Sequence, residues 1–459
     1  MKNRKVAKFG GKPMSDVKNW KKVVKRILAD RLIVSVVVSA LGKRFKSDEK
    51  ITDMLIQMAN LIISKQPWEH VWQKICQRHA EIIVGLGLSD VLSDLLTDTR
   101  QDILENPYLD FIVSRGEYLS ARIMTEYLNL LDREAHFLDA KDCVVFGMRG
   151  INHERSHELI SKKAPKTGIV VIPGFYGSNA SGKICIFSRG GSDLTGAIVA
   201  CGLKVKTYEN WTDVNGVHTA SPKFVSKTMS IEKTSYKYAH ILTSFGASVL
   251  HEDTVQYLEK YKITIHIRDI DDPTALGTKI IPNYKDKNGV VGVACLQDVT
   301  AFCTSKIVSS STSGYGEKLF HIFSSSKIPY AFELPGKGES SVIIENKYLC
   351  KASHNSKNEK RKCIEESIIN LKGEITYEIK PSSINVFKNL AAITTAGSNE
   401  GTLSEMYFAL KAKNISCPIQ YRGPTGQAIV CVPNKDAMVA YQLIHDELFY
   451  KDTQQQLPK

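Results

Sequence analysis

The apolar residues of this chain alternate between short unbroken runs and longer stretches of helical period. Lys5-Val6-Ala7-Lys8-Phe9 is a short strand-like run that stops at Gly10-Gly11. From Asp16 to about Asp30, Val17, Trp20, Val23, Val24, Ile27 and Leu28 fall on one side of a helix. Ile33 to Ser39 is almost wholly β-branched, the pattern of a parallel strand covered on both faces, and it ends in Ala40-Leu41-Gly42-Lys43. Lys43 to Lys50 is polar and reads as a mobile loop. Ile51 to Ser64 is helical, residues 68 to 105 read as further core helices, and Ser114-Arg115-Gly116-Glu117 opens another. Gly168 to Ile172 is a strand that leaves into Pro173-Gly174-Phe175-Tyr176-Gly177. Ile184 to Phe187 leads into Ser188-Arg189-Gly190-Gly191. A helix follows, with Ser192 placed to cap it and Leu194, Ala197, Ile198 and Ala200 on its apolar side. A strand ending near Trp211, a helix around Tyr236 to Phe245 and an alternating strand, Ile263 to Arg268, close this region near residue 283. Strands alternating with helices, with a glycine turn at each strand exit, predict an α/β fold whose ligands sit at that sheet edge.

The last third has a different rhythm. Val290 to Leu296 reads as a strand, and a polar helix with Ser313-Gly314-Tyr315-Gly316 near its start follows. Ala331-Phe332-Glu333 and Ser341 to Ile344 are strand-like. A second cycle runs from Leu390 to Thr395, through a helix at Leu403 to Leu410, to Ala428 to Val432 and a helix from Asp436 to Leu448. This is the pattern of two βαββαβ units.

Composition narrows the setting. The 459 residues suffice for two or three domains with substantial cores. No apolar run is long enough to span a membrane. The ten cysteines are scattered singly without a Cys-x-x-Cys, which predicts free thiols of a cytoplasmic protein and neither a zinc cage nor a disulfide framework. The net charge of +13 is spread along the chain, with no basic block or aromatic recognition motif, and this favours small anionic ligands over nucleic acid.

The candidate chemistry gathers at the glycine turns. A helix start after Gly190-Gly191 is a natural anion site, and Arg189 adds a planar fork suited to a carboxylate or phosphate. Asp193 either favours the helix dipole or orients nearby lysines around a transferring phosphoryl group. Lys8 and Lys43 lie beside the first two turns, as in a phosphate cradle. Glu117 is either a dipole-favouring acid or a group that binds a substrate amine. Thr212 and Asp213 suit a nucleotide base or ribose, or a plain Asx turn, and Lys223 suits its phosphates. Two patterns are coincidences. His153-Glu154-Arg155-Ser156-His157 matches the zincin motif, but its flanks support only a short polar helix and supply no third ligand. Gly177 to Lys183 mimics a Walker loop, but Ile184 stands where Ser or Thr must hold magnesium, and a strand follows instead of a helix, so a hairpin is expected.

The ordered set of motifs resembles the aspartokinase family of the amino-acid kinase superfamily. The matching pieces are Lys8-Phe9-Gly10-Gly11, Val38 to Lys43, Lys50-Ile51-Thr52-Asp53, Gly116 to Ala121, Pro173 to Gly177, Ser188 to Asp193, Trp211 to Val217, Phe245-Gly246-Ala247 and Gly277-Thr278. The resemblance implies a three-layer αβα kinase domain with a mostly parallel sheet over 1–283. Two ferredoxin-like ACT domains follow, over 284–380 and 381–459. It implies that ATP, with Mg2+, phosphorylates the side-chain carboxylate of L-aspartate to 4-phospho-L-aspartate, the first step toward lysine, threonine and methionine. By the same analogy Lys8 stabilises the transferring group and Asp193 holds that lysine. Gly10, Gly11, Gly42 and Gly177 let backbone amides near the phosphates, and Thr212, Asp213 and Lys223 serve the nucleotide. Arg189 and Ser192 take a substrate carboxylate and Glu117 its ammonium, with Ser39 and Thr52 helping to position it. No protein metal ligand is implied. The implied partners are a lysine or threonine effector at the ACT domains and a second copy, in a homodimer or dimer of dimers. Lys12-Pro13 replaces the family's Thr or Ser, His218 a usual tyrosine, and Ser221-Pro222-Lys223 an acidic or amide residue, Pro and Arg. Those departures leave open a kinase for another acidic amino acid, or a catalytically weak amino-acid sensor.

Overall fold

The structure is a computed structural model. It describes residues 3–148, 150–187, 190–245, 250–286, 289–306, 315–336, 339–350, 356–423 and 426–454. The chain divides into two compact units. Met1–Val217, Ser230–His240 and Ser248–Asp286 form one, and His218–Met229, Ile241–Ala247 and Lys287–Lys459 form the other.

The first unit begins with β1 (Lys5–Phe9), α1 (Val17–Ala29), β2 (Ile33–Val38), α2 (Ile51–Ile63), α3 (Glu69–Gly85), α4 (Leu95–Glu105) and α5 (Leu109–Leu130). It continues through β3 (Ala135–Phe137), β4 (Phe146–Gly147), β5 (Gly150–Ile151), α6 (His153–Lys163), β6 (Ile169–Pro173), β7 (Tyr176–Ser178), β8 (Ile184–Ile186), α7 (Gly191–Gly202) and β9 (Thr207–Thr212). Its last elements are β10 (Lys233–Ser235), the first five residues of α8 (Tyr236–Ser244), α9 (Glu252–Lys260), β11 (Thr264–Asp269) and β12 (Thr278–Ile281). Eight strands form one sheet in the order β10-β12-β11-β9-β1-β2-β6-β3, parallel except where β11 meets β12. The β-branched runs occupy the centre: Val36, Val37 and Val38 of β2 and Ile169, Val171 and Ile172 of β6 are fully buried. Such strands gain from burial on both faces, about 25 cal/mol per Å² of apolar surface. Two glycines bring helices in close. A side chain at Gly85 of α3 would strike Val17 of α1 at 2.5 Å, and one at Gly196 of α7 would strike Tyr208 of β9 at 2.6 Å.

Residues 43–50 are tied down, contrary to the mobile loop expected. Asp48 accepts from the Arg44 N–H and guanidinium and from Arg78 of α3, so its polar side chains serve as anchors. Gly177 to Lys183 is a hairpin, with β7 pairing antiparallel to β8.

The second unit contains β13 (Gly292–Ser305), α10 (Tyr315–Ser325), β14 (Phe332–Gly336), β15 (Glu339–Glu345), α11 (Asn346–Leu349), α12 (Lys357–Ile379), β16 (Ser383–Ala396), α13 (Thr402–Lys411), β17 (Ile419–Gly423), β18 (Gln427–Pro433) and α14 (Ala437–Gln454). Its six strands form one antiparallel sheet, β14-β15-β13-β16-β18-β17. The long strands β13 and β16 run through both halves, and each half has its own core. One gathers Phe302, Leu319, Phe323 and Ile375, the other Val293, Ile393, Leu410 and Tyr441. Residues 218–229 fold here rather than with the eight-stranded sheet: Ala220 and Val225 enter the second core, and the Ser221 N–H bonds the Tyr441 hydroxyl at 2.8 Å. Cys350 and Cys363 form a disulfide, which corrects the expectation that every cysteine is free. Their sequence positions are unremarked by any motif. What pairs them is the packing of α11 against α12.

Candidate active site

The exits of β1 and β2, the start of α7 and one residue of α5 enclose a cavity of about 540 Å³. Of the residues singled out in the sequence, Lys8, Gly11, Ser39, Gly42, Lys43, Thr52, Glu117, Ser192 and Asp193 line it, joined by Lys12, Lys50 and Phe175. At its floor Lys8, only 8% exposed, places Nζ 2.6 Å from Asp193 Oδ1, a close ion pair. The two meet because β1 is a central strand and because Gly196, one turn on from Asp193, carries no side chain and lets α7 lie against Lys8 Cβ.

The α7 start differs from the expected cap in a way that favours a ligand. The cap residue is Gly190, in the left-handed region at φ 59°, and no side chain caps the helix. Ser192 is already inside the first turn. The first intrahelical bond runs from the Leu194 N–H to the Gly190 carbonyl, which leaves the amides of Gly191, Ser192 and Asp193 without helical acceptors. Uncapped amides at the positive end of a helix dipole, facing a cavity, suit an anion. Gly190 is doubly required, because a Cβ there would also lie 2.6 Å from His251.

The glycine loops play a different part from the one expected. The Gly10 N–H is bonded to the Trp211 carbonyl and the Gly42 N–H to the Gly11 carbonyl, so neither is free for phosphate. Their small size lets the loops touch: a Cβ on Gly42 would sit 2.4 Å from the Gly11 carbonyl. Gly177 lies off the cavity lining, where a side chain would meet the Val144 carbonyl at 2.3 Å. Phe175 lines the cavity at φ 74°, a strained backbone for a non-glycine residue. It is held by donation from its N–H to Thr195 Oγ1.

Glu117 is buried on α5, and one of its carboxylate oxygens, Oε2, has no partner. Burial pushes its pKa up to about 8, opposed only in part by the Ala40 N–H. An acid held dry beside a cavity, with an unpaired oxygen, fits a ligand ammonium. On the far side Lys12 reaches Asp213 Oδ2 at 3.0 Å, and this bond raises the lysine pKa and lowers the carboxyl's. Thr212 Oγ1 donates to Asp213 Oδ1, so this pair stands beside the cavity and joins it through Lys12. Lys223 belongs to the second unit and is not among the residues that the first unit brings together. Arg189 and Ser188 lie outside the described residues.

Sequence reasoning gave no role to Lys50, Phe175 or the buried Arg78. A positive-φ Phe gives no sequence signal, and Arg78 sits in a stretch read as plain core. The two zincin histidines pack on α9: His157 Nε2 is 2.5 Å from the Tyr257 hydroxyl and the His153 ring lies against the same tyrosine. Among the described residues no group of three or more His, Cys, Asp or Glu is arranged to hold a metal.

Residues 3–269 match the model of the amino acid kinase family. Aspartokinase 3 of Bacillus subtilis is 27% identical over 97% of this chain and 98% of its own length. The aspartate kinase of Clostridium acetobutylicum superposes with a TM-score of 0.81 at 31% identity, over 97% of this chain and all of that one. Aspartokinase III of Escherichia coli, solved with aspartate and ADP, has the same fold at 21% identity (TM-score 0.75, 97% of this chain and 100% of that one); it has also been solved with lysine and aspartate. By its kinase model, its length and its fold, the chain belongs to the amino acid kinase family, in the aspartokinase branch.

Proposed function

We propose that the cavity brings ATP and L-aspartate together so that an oxygen of the aspartate side-chain carboxylate attacks the γ-phosphorus. The bond from that phosphorus to the ADP oxygen breaks, and 4-phospho-L-aspartate and ADP leave. Magnesium enters with the nucleotide as part of the substrate. The nucleophile is already ionised at neutral pH, so the reaction needs no general base. What it needs is relief from repulsion between two anions.

The observation that carries the reading is the Lys8–Asp193 pair at 2.6 Å, set between the uncapped start of α7 and the touching glycine loops. Lys8 supplies positive charge in a half-dry site, where it is worth more than in water, and Asp193 fixes its position. The amides of Gly191 to Asp193 take up charge that grows on the transferring group. Glu117 receives the aspartate ammonium, and Ser39, Thr52, Ser192 and Arg189 position its carboxylates. Thr212, Asp213 and Lys12 serve the nucleotide. An amino-acid effector, lysine or threonine, acts through the ACT-like unit.

Coupled ADP release with L-aspartate, L-glutamate and N-acetylglutamate tests the assignment. Turnover with aspartate well above the other two is expected. Preference for another acid would reassign the substrate, and binding without ADP release would make the chain a sensor.

A further inference from the structure

Arg78 of α3 is 4% exposed, yet it lies behind the cavity and belongs to neither glycine loop. Its Nη2 donates to the carbonyls of Gly42 at 2.9 Å and Ser15 at 3.3 Å. Its Nη1 donates to the Glu49 carbonyl at 3.3 Å and to Asp48 Oδ2 at 3.1 Å. One guanidinium thus gathers carbonyls from the segment after β1, the turn after β2 and the loop before α2. Asp48 pairs with both Arg78 and Arg44, and Arg78 is not part of the cavity lining, so Arg78 does not act by touching an anion. A planar five-donor fork can do this gathering, whereas the point charge of a lysine cannot.

The consequence lies on the other side of each peptide. In a trans peptide the carbonyl and the following N–H point in opposite directions, and the chain has no cis peptide bond among its described residues. Drawing the Gly42 and Glu49 carbonyls back toward Arg78 turns the N–H groups of Lys43 and Lys50 the other way. Both residues line the cavity. Among the described residues neither N–H meets an acceptor. We infer that Arg78 is a positioning residue which, through the carbonyls it gathers, aims the Lys43 and Lys50 amides at the phosphates of the bound nucleotide. The inference rests on the nucleotide reading of the cavity given above.

Two measurements test it. The first uses the unaltered full chain: amide hydrogen exchange at single-residue resolution, with and without ADP and magnesium. Slowed exchange at Lys43 and Lys50 supports the inference. Slowing at Gly11 and at Gly191 to Asp193 without change at Lys43 and Lys50 overturns it while leaving the nucleotide reading intact, and no slowing anywhere around the cavity removes both. The second is Arg78→Lys. Its KM for ATP should rise at least about tenfold with the KM for aspartate within about twofold, a split that general loosening of the fold would not produce. An unchanged KM for ATP overturns the inference. If that variant does not fold, the exchange experiment on the unaltered chain decides.

Discussion

Glu117 makes the pH dependence of substrate affinity calculable. Its carboxyl is buried, one oxygen is unpaired, and burial raises its pKa to about 8. A substrate ammonium binds the ionised form, so binding at pH 6 must first expel the Glu117 proton. With a pKa of about 8, ionisation falls from one half at pH 8 to about 1% at pH 6, so the KM for L-aspartate should be roughly 50-fold higher at pH 6 than at pH 8. The aspartate ammonium stays protonated across this window, so the slope belongs to the protein. Glu117→Gln removes the charge at every pH. Its KM should be flat from pH 6 to 8 and higher than that of the parent chain at pH 8 by about 2–5 kcal/mol of lost pairing. Stability runs the opposite way with pH. An acid whose folded pKa lies above its ordinary 4.5 costs nothing below that value, and the deficit grows until about pH 8, to a limit of about 5 kcal/mol. The ligand-free parent should therefore lose melting temperature relative to Glu117→Gln between pH 5 and 8. Steady-state ADP release at fixed saturating ATP, with a parallel melting series, supplies both readings. A parental KM for aspartate that is level from pH 6 to 8, or a Glu117→Gln variant with the parental slope, would refute the reasoning.

The other predictions concern the cavity floor and rim. Lys8→Met and Asp193→Asn should each lower kcat at least about 100-fold with cooperative unfolding retained, since each removes charge or alignment at the transferring group; this is read by ADP release and a denaturant melt. Gly42→Ala should destabilise the chain by about 1–3 kcal/mol and impair turnover, because its Cβ meets the Gly11 carbonyl at 2.4 Å and forces the loops apart. Lys12→Ala should raise the KM for ATP severalfold with a stability change of under about 1 kcal/mol, since its pair with Asp213 is largely exposed. Lysine and threonine titrations of ADP release should show inhibition by one of them.

The central sheet was legible because β1, β2 and β6 are covered on both faces, so their β-branched runs have no polar interruption to obscure them. The pairing of Lys8 with Asp193 was legible only through the order of the motifs, as no local pattern joins two residues so far apart in the chain. The α7 cap was misplaced because Ser192 satisfies the side-chain preference while Gly190 satisfies the backbone one, and the left-handed turn decided between them. The strand β13 runs on past the polar Gln297-Asp298, where the apolar run from Val290 stops: Asp298 takes a left-handed conformation and Val299 resumes the pairing. Helix α12 carries a signal, Ile364, Ile368, Leu371, Ile375 and Ile379 at helical spacing, but the charged residues between them dilute it. Arg78 was hidden for a physical reason. Nothing in a helix sequence says that an arginine will turn inward, and only the three backbone carbonyls and Asp48 make its burial tolerable.

One cavity is proposed to hold both anions of the reaction, and a crystal structure of the chain with ADP, magnesium and L-aspartate is the decisive test. The ADP phosphates should lie beside Lys8 and the amides at the start of α7, with the aspartate ammonium on Glu117 and its side-chain carboxylate facing the terminal phosphate. Nucleotide and aspartate bound in separate places, or aspartate bound away from Glu117 with Lys8 contacting neither ligand, would contradict it.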